Sequence, residues 1–224
     1  MTNTVCGAVI DWAATGSMLQ GLGTIAGVSA VVWGTLKATG TWKAQKLAER
    51  RSDNAERILT AVYKGRRAIK YIRGVMVWAH ELSAAEAKLK ENPDWERATE
   101  ARQKRLVTAQ AYYDRLNRTK DERLALDECL PMARALFGEE LEAAIEKLNH
   151  QFWIVQTYVD AYIDDENGND AEFTKKIRRA MSEVEPRAGE TSEVSEAVKE
   201  TVTIVERICV PALQLEGAEM AASA

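Results

Sequence analysis

Residues 12–36 read WAATGSMLQGLGTIAGVSAVVWGTL, twenty-five positions without one charged side chain, with Asp11 before them and Lys37 after. As an α-helix rising about 1.5 Å per residue they reach about 37 Å, more than the ~30 Å hydrocarbon layer of a bilayer. The stretch reads as a transmembrane helix, and the remainder of the chain is polar with helical periodicity almost throughout. Only ten of the twenty-five residues are strongly apolar, and most of the rest is Gly and Ala. In lipid, where backbone hydrogen bonding is compulsory, glycine is tolerated and small residues let two helices approach. Gly23 and Gly27 form a GxxxG pair that Ala30 and Gly34 extend, a face suited to a second copy of the span.

Two other readings of the stretch fit less well. A cleaved signal peptide opens with basic residues, but positions 1–11 contain none and include Asp11. A buried helix of a soluble protein suits the glycines and Gln20. It does not account for Trp12 near one end and Trp33 and Trp42 around the other, where indoles favour the membrane interface. Basic residues come after the span and none precedes it. Lys37, Lys43, Lys46, Arg50 and Arg51 therefore place the N-terminus outside, the C-terminal part in the cytoplasm, and themselves against an anionic leaflet. Cys129 and Cys209 would then sit in a reducing compartment, and three cysteines in 224 residues make no disulfide scaffold.

Outward from the span the expected fold is all-α, an N-terminal transmembrane helix followed by a long basic helix and a cytoplasmic helical bundle. Four prolines, three phenylalanines and 29% charged residues, with Ala, Glu, Lys, Arg and Leu abundant, favour helix nearly everywhere. The expected organisation is a short extracytoplasmic segment (1–11), the span (12–36), a basic juxtamembrane helix with its connector (37–92), an acidic bundle (93–215) and a flexible tail (216–224). Leu47, Ala55, Ile58, Leu59, Val62, Ile69 and Ile72 draw one stripe along the first cytoplasmic helix, and Gly74 breaks it. The apolar Val75-Met76-Val77-Trp78 is expected to fold back on the helices. Asn92-Pro93-Asp94 starts a helix over 93–120, a further piece runs over 121–136 with Pro131 kinking or starting a helix, and Gly138 ends it. Residues 139–164 give the clearest amphipathic helix, and helices over 173–184 and 192–213, the last closing near Pro211, come after an acidic loop at 164–170.

Charge divides along the chain. Residues 37–73 carry eleven basic and three acidic side chains; residues 1–92 come to +6 and residues 93–224 to −10. The acidic later helices are candidates to lie against the basic first one. Nucleic acid is disfavoured as a partner, since the cytoplasmic part is acidic overall and no binding motif accompanies the basic stripe.

The chemistry-bearing residues form no site. His80-Glu81 opens like a zinc-protease motif, but Ala84 stands where its second His belongs. Glu146 and His150 are one helical turn apart with no second such pair, against the needs of a di-iron bundle. In the loop 164–170, Ile163 occupies the place five before Gly168 where a calcium-binding EF-hand needs Asp. Cys129 and Cys209 each precede a proline by two, a pattern that small buried thiols explain. No catalytic residue, cofactor site or metal site is expected, and the chain does not read as an enzyme.

Trp42-Lys43-Ala44-Gln45-Lys46, Ala68-Ile69-Lys70-Tyr71-Ile72-Arg73, Ala135-Leu136-Phe137-Gly138 and Ile208-Cys209-Val210-Pro211-Ala212-Leu213, set behind a charge-poor span, resemble a group of uncharacterised bacterial single-span membrane proteins. The resemblance implies a bacterial inner-membrane location and brings no activity. The expected function is a membrane-anchored cytoplasmic scaffold, sensor or regulatory interaction protein, self-associating through the span and meeting an unidentified cytoplasmic protein. Alternatives are a pore-forming small protein and an anionic-lipid or nucleic-acid tether working through the basic helix.

Overall fold

The three- and four-residue spacing of Ala55, Ile58, Leu59, Val62, Ile69 and Ile72 becomes, in the computed structural model, the buried face of α1 (Trp12–Ile72). The structure describes the backbone of residues 12–166, 168–183 and 192–222 and the side chains of residues 42–166, 168–183 and 192–214. Among these every regular element is a helix: α1, α2 (Ala79–Lys90), a 3₁₀ turn (Trp95–Arg97), α3 (Glu100–Arg118), α4 (Lys120–Phe137), α5 (Glu139–Asp164), α6 (Ala171–Met181) and α7 (Glu193–Ala222).

The chain divides into two units, Met1–Glu49 and Arg50–Ala224. In the first, Trp42 and Leu47 are exposed and Lys46 pairs with Glu49 at 2.7 Å. Leu47 thus leaves the apolar stripe to which its spacing assigned it, because it precedes the residues that build the bundle. Among the described residues no helix is long and apolar enough to cross a membrane. The side chains of residues 12–36, and with them the span and its glycine face, lie outside the described set.

In the second unit α5 is the hub, packed against α3, α4, α6 and α7. Leu141, Ile145, Leu148, Phe152, Val155 and Val159 run down its inner side, all essentially inaccessible. The core half of α1 comes close enough that a Cβ added at Gly65 would stand 2.9 Å from Leu126 Cδ1 on α4 and 3.5 Å from Leu148 Cδ2 on α5. Valines 194, 198, 202 and 205 of α7 complete the core.

Several boundaries differ from those expected, each for a local reason. Asn92 does not start a helix: its Oδ1 accepts the Asp94 N–H at 3.0 Å and closes a turn, while Thr99 Oγ1 accepts from Arg102 N–H and starts α3. Pro131 lies inside α4 and Pro211 inside α7 without ending either helix. Pro131 and Pro211 are both exposed, and Asp127 and Arg207, whose carbonyls lose their intrahelical donors, stand on the outer side of the bundle where those carbonyls can turn to water. α6 begins two residues early because Asp170 Oδ1 accepts from the N–H groups of Glu172 and Phe173. Val75, Met76 and Trp78 do not fold back; they stand in solvent, and of the four only Val77 packs against the core.

Gly138, the one residue between α4 and α5, has φ 96° and ψ −179°, a conformation open essentially to glycine alone. Nothing lies within 4 Å of a Cβ built there, so crowding plays no part. Gly138→Ala should destabilise the bundle by about 1–3 kcal/mol through backbone strain, read as a lower urea midpoint with an unchanged slope. A midpoint equal to that of the parent would refute this.

Candidate functional site: buried arginines and a basic ridge

The last carbonyls of a helix have no partner within it and are costly to bury unpaired. In this bundle three arginines from neighbouring elements supply the donors. Arg115 on α3 reaches the end of α1, donating to the carbonyls of Ile72 (3.2 Å), Gly74 (3.3 Å) and Met76 (2.8 Å). It also donates twice to Glu81, at 2.9 Å to Oε1 and 2.6 Å to Oε2, and lies near the rings of Tyr71 and Tyr112. The Glu81 carboxylate in turn accepts the Trp78 N–H that opens α2. Both side chains of the pair are buried, at 3% and 6% exposure.

Arg73, just past the end of α1, serves the end of α6. Its Nε donates to the Ala180 carbonyl at 2.8 Å, and its Nη2 to those of Arg179 and Ser182 and to Ser192 Oγ. Its Nη1 donates to Ser195 Oγ in the first turn of α7, so one guanidinium joins α1, α6 and α7. The third, Arg105, donates to the Tyr162 and Glu166 carbonyls at the end of α5 while stacked on the Tyr162 ring. A planar fork with five donors suits this task; a lysine ammonium does not.

The bonded Arg115 guanidinium holds the Glu81 carboxyl down to about 2 against the opposite pull of burial, and Glu81 raises Arg115 in return. Burial pulls the Arg73 guanidinium below its ordinary range, with Glu183 pulling back. Burial pushes both bundle thiols up, Cys209 to about 11, which keeps them protonated and poorly nucleophilic. His80 and His150 are exposed, and His150 stacks on Trp153. Among the described residues no three His, Cys, Asp or Glu side chains are grouped so as to hold a metal ion. Two carboxylates of the loop 164–170 are drawn into local structure: Asp170 caps α6 and Asp165 accepts from Thr174.

The outer face of α1 carries Arg57, Lys64, Arg66, Arg67 and Lys70, all exposed and none in an ion pair with a described residue. Grooves flank this ridge. One, of about 590 Å³, is lined by Lys64, Arg67, Tyr71 and Arg118 together with Asp121 and Glu122. The other, of about 390 Å³, is lined by Arg66 and Lys70 with Lys199, Glu183 and Glu206. Arg118 donates to Tyr71 Oη, and Tyr63 on the ridge donates to Glu206. The ridge suits reversible contact with an extended anionic surface, where exposed charges act collectively.

Of the residues expected to meet an anionic leaflet, Lys43, Lys46, Arg50 and Arg51 are exposed, with Lys46 paired to Glu49 and Arg51 5.4 Å from the Phe137 ring. The side chains of Lys37, Gly23, Gly27, Ala30 and Gly34 lie outside the described residues. Sequence reasoning missed Glu81, Arg115 and the special place of Arg73. A faint signal existed: Arg115 falls in phase with Ala109, Tyr112 and Leu116, and Arg73 adjoins Ile72 on the buried stripe. No family model, curated protein or solved structure matches the chain.

The depressed Glu81 carboxyl makes stability pH-dependent. Its contribution is fully present above the unfolded-state value near 4.5 and is lost as pH falls through that value toward 2. Urea unfolding should therefore show a loss on the order of 3 kcal/mol between those limits. In Glu81→Gln the chain should start weaker and lose correspondingly less. An identical pH dependence in parent and variant would refute the assignment.

Proposed function

We propose that this chain is a membrane-anchored helical interaction protein, held in a bacterial inner membrane by residues 12–36 and working through binding rather than catalysis. The observation that carries the reading is α1, which runs from Trp12 to Ile72 and so takes the charge-free stretch and the bundle's central stripe into one helix. A change at the anchor, such as association of two copies through Gly23, Gly27, Ala30 and Gly34, would act on a helix whose later half contributes Ala55, Ile58, Val62, Ile69 and Ile72 to the core. A scaffold, sensor or regulatory partner uses that coupling. The basic run from Lys37 to Arg51 supports it by favouring a cytoplasmic bundle.

A second reading, a tether to anionic surfaces, is favoured by the cations of α1 that have no ion-pair partner among the described residues.

Alkaline carbonate should leave the full chain in the membrane pellet, and crosslinking there should yield a dimer that Gly27→Ile reduces several-fold. Release of the chain into the carbonate supernatant would overturn the anchor. A dimer unaffected by Gly27→Ile would overturn the glycine face alone.

A further inference from the structure

The groove of about 390 Å³ between α1 and α7 is lined by four cations, Arg66, Lys70 and Arg73 at the end of α1 and Lys199 on α7, against two carboxylates, Glu183 and Glu206. Arg66, Lys70 and Lys199 are exposed and make no ion pair with a described residue, whereas Arg73 is buried at the inner end. We propose that this groove binds a small, multiply charged anion of the phosphate-ester or diphosphate class, with Arg73 as its innermost contact.

The carbonyls around Arg73 accept its hydrogen bonds but bring no formal negative charge. Its Nη2 is shared among the Arg179 and Ser182 carbonyls and Ser192 Oγ, so that side of the fork is fully used. Nη1 carries two N–H groups and has a single acceptor among the described residues, Ser195 Oγ at 2.9 Å. Of all the acceptors of Arg73, Ser195 alone lines the groove, so the edge with the unused donor is the one turned toward it. A buried donor left without a partner is costly, and more so on a charged group. An anionic oxygen entering the groove meets that donor and supplies the missing charge. Burial pulls the Arg73 guanidinium below its ordinary range, and a bound anion acts in the opposite direction.

The rest of the groove fits the same class of ligand. Arg66 and Lys70 stand one turn apart on α1, and Lys199 lies one turn beyond Ser195 on α7, so cations border the groove on both sides. Ile69, Val198 and Val202 give it apolar walls, and a cleft of one sign of charge with such walls concentrates its field. Ser195 adds a hydroxyl and the positive end of α7. Glu206 is engaged by the Tyr63 hydroxyl at 2.6 Å, and Glu183 reaches no ion-pair contact with a described residue. Because two carboxylates share the groove, a monoanion gains little, whereas a multiply charged anion draws on the excess of cations. Arg73 is 2% exposed, which the terminal group of a small ligand can reach and a broad anionic surface cannot. The site lies wholly within the unit Arg50–Ala224 and does not depend on the anchor; it would give a sensor its ligand at the point where Arg73 joins α1, α6 and α7.

The test titrates inorganic pyrophosphate into the full chain in nonionic detergent and reads binding by calorimetry. The expected result is saturable binding of one pyrophosphate per chain, weakened about tenfold or more by Lys70→Gln with Lys199→Gln. Both side chains are exposed and unpaired among the described residues, so the fold should tolerate their loss. Lys64→Gln with Arg67→Gln removes the same charge from the side of α1 that faces the other groove, and should change the affinity by no more than about twofold. Heat that does not saturate overturns the proposal, as does an equal weakening by the two pairs of substitutions, which would mark the response as general charge screening. Binding here is read on the bundle and is separate from whether residues 12–36 span the bilayer, which carbonate extraction reports.

Discussion

Arg73 is buried with no described carboxylate in ion-pair contact, and its five hydrogen bonds go to three carbonyls at the end of α6 and two serine hydroxyls beside the start of α7. A guanidinium taken out of water is costly, and only several well-placed acceptors offset that cost. Here they come from the end of a helix, where partial negative charge gathers and the carbonyls need donors. The cation and the helix end each meet the other's unmet requirement. The arrangement holds only while α1, α6 and α7 keep their relative positions, and the backbone adds to it, with the Glu183 N–H donating to the Arg73 carbonyl at 2.7 Å.

The same logic recurs at Arg115 and Arg105, so the ends of α1, α5 and α6 are all closed from outside by arginine. Such helices depend on their neighbours for their ends as well as for their buried faces, and the bundle is correspondingly cooperative. Arg115 has the widest reach: through its three carbonyl bonds and Glu81 it fixes the turn out of α1, the connector and the entry to α2. The connector's apolar side chains are displayed because its backbone is held from behind.

Much of the fold was legible in the sequence because it rests on local pattern. α5 has the boundaries its spacing predicts, since Gly138 must precede it, acidic residues fill its first turn and apolar residues recur along one side. α1 ends beside Gly74 as expected. The pattern misled where a side chain or solvent replaced it: at Asn92, which closes a turn, and at Pro211, exposed on the bundle's outer side, which α7 runs through. The candidate site was nearly invisible because its contacts are distant in sequence. Glu81 lies 34 positions from Arg115, and Arg73 more than a hundred from Ala180; each reads as an ordinary charged residue until the fold brings its partner up. The ridge on α1 was legible as composition, whereas its separation from a buried arginine at the same helix end was not.

Arg73 stands at the join of three helices, and hydrogen–deuterium exchange on the full chain with Arg73→Lys, which keeps the charge but removes the fork, tests its role there most directly. The predicted result is faster exchange at the end of α6 and the first turns of α7, with α5 protected as in the parent. Exchange in α6 and α7 unchanged by the substitution would contradict it.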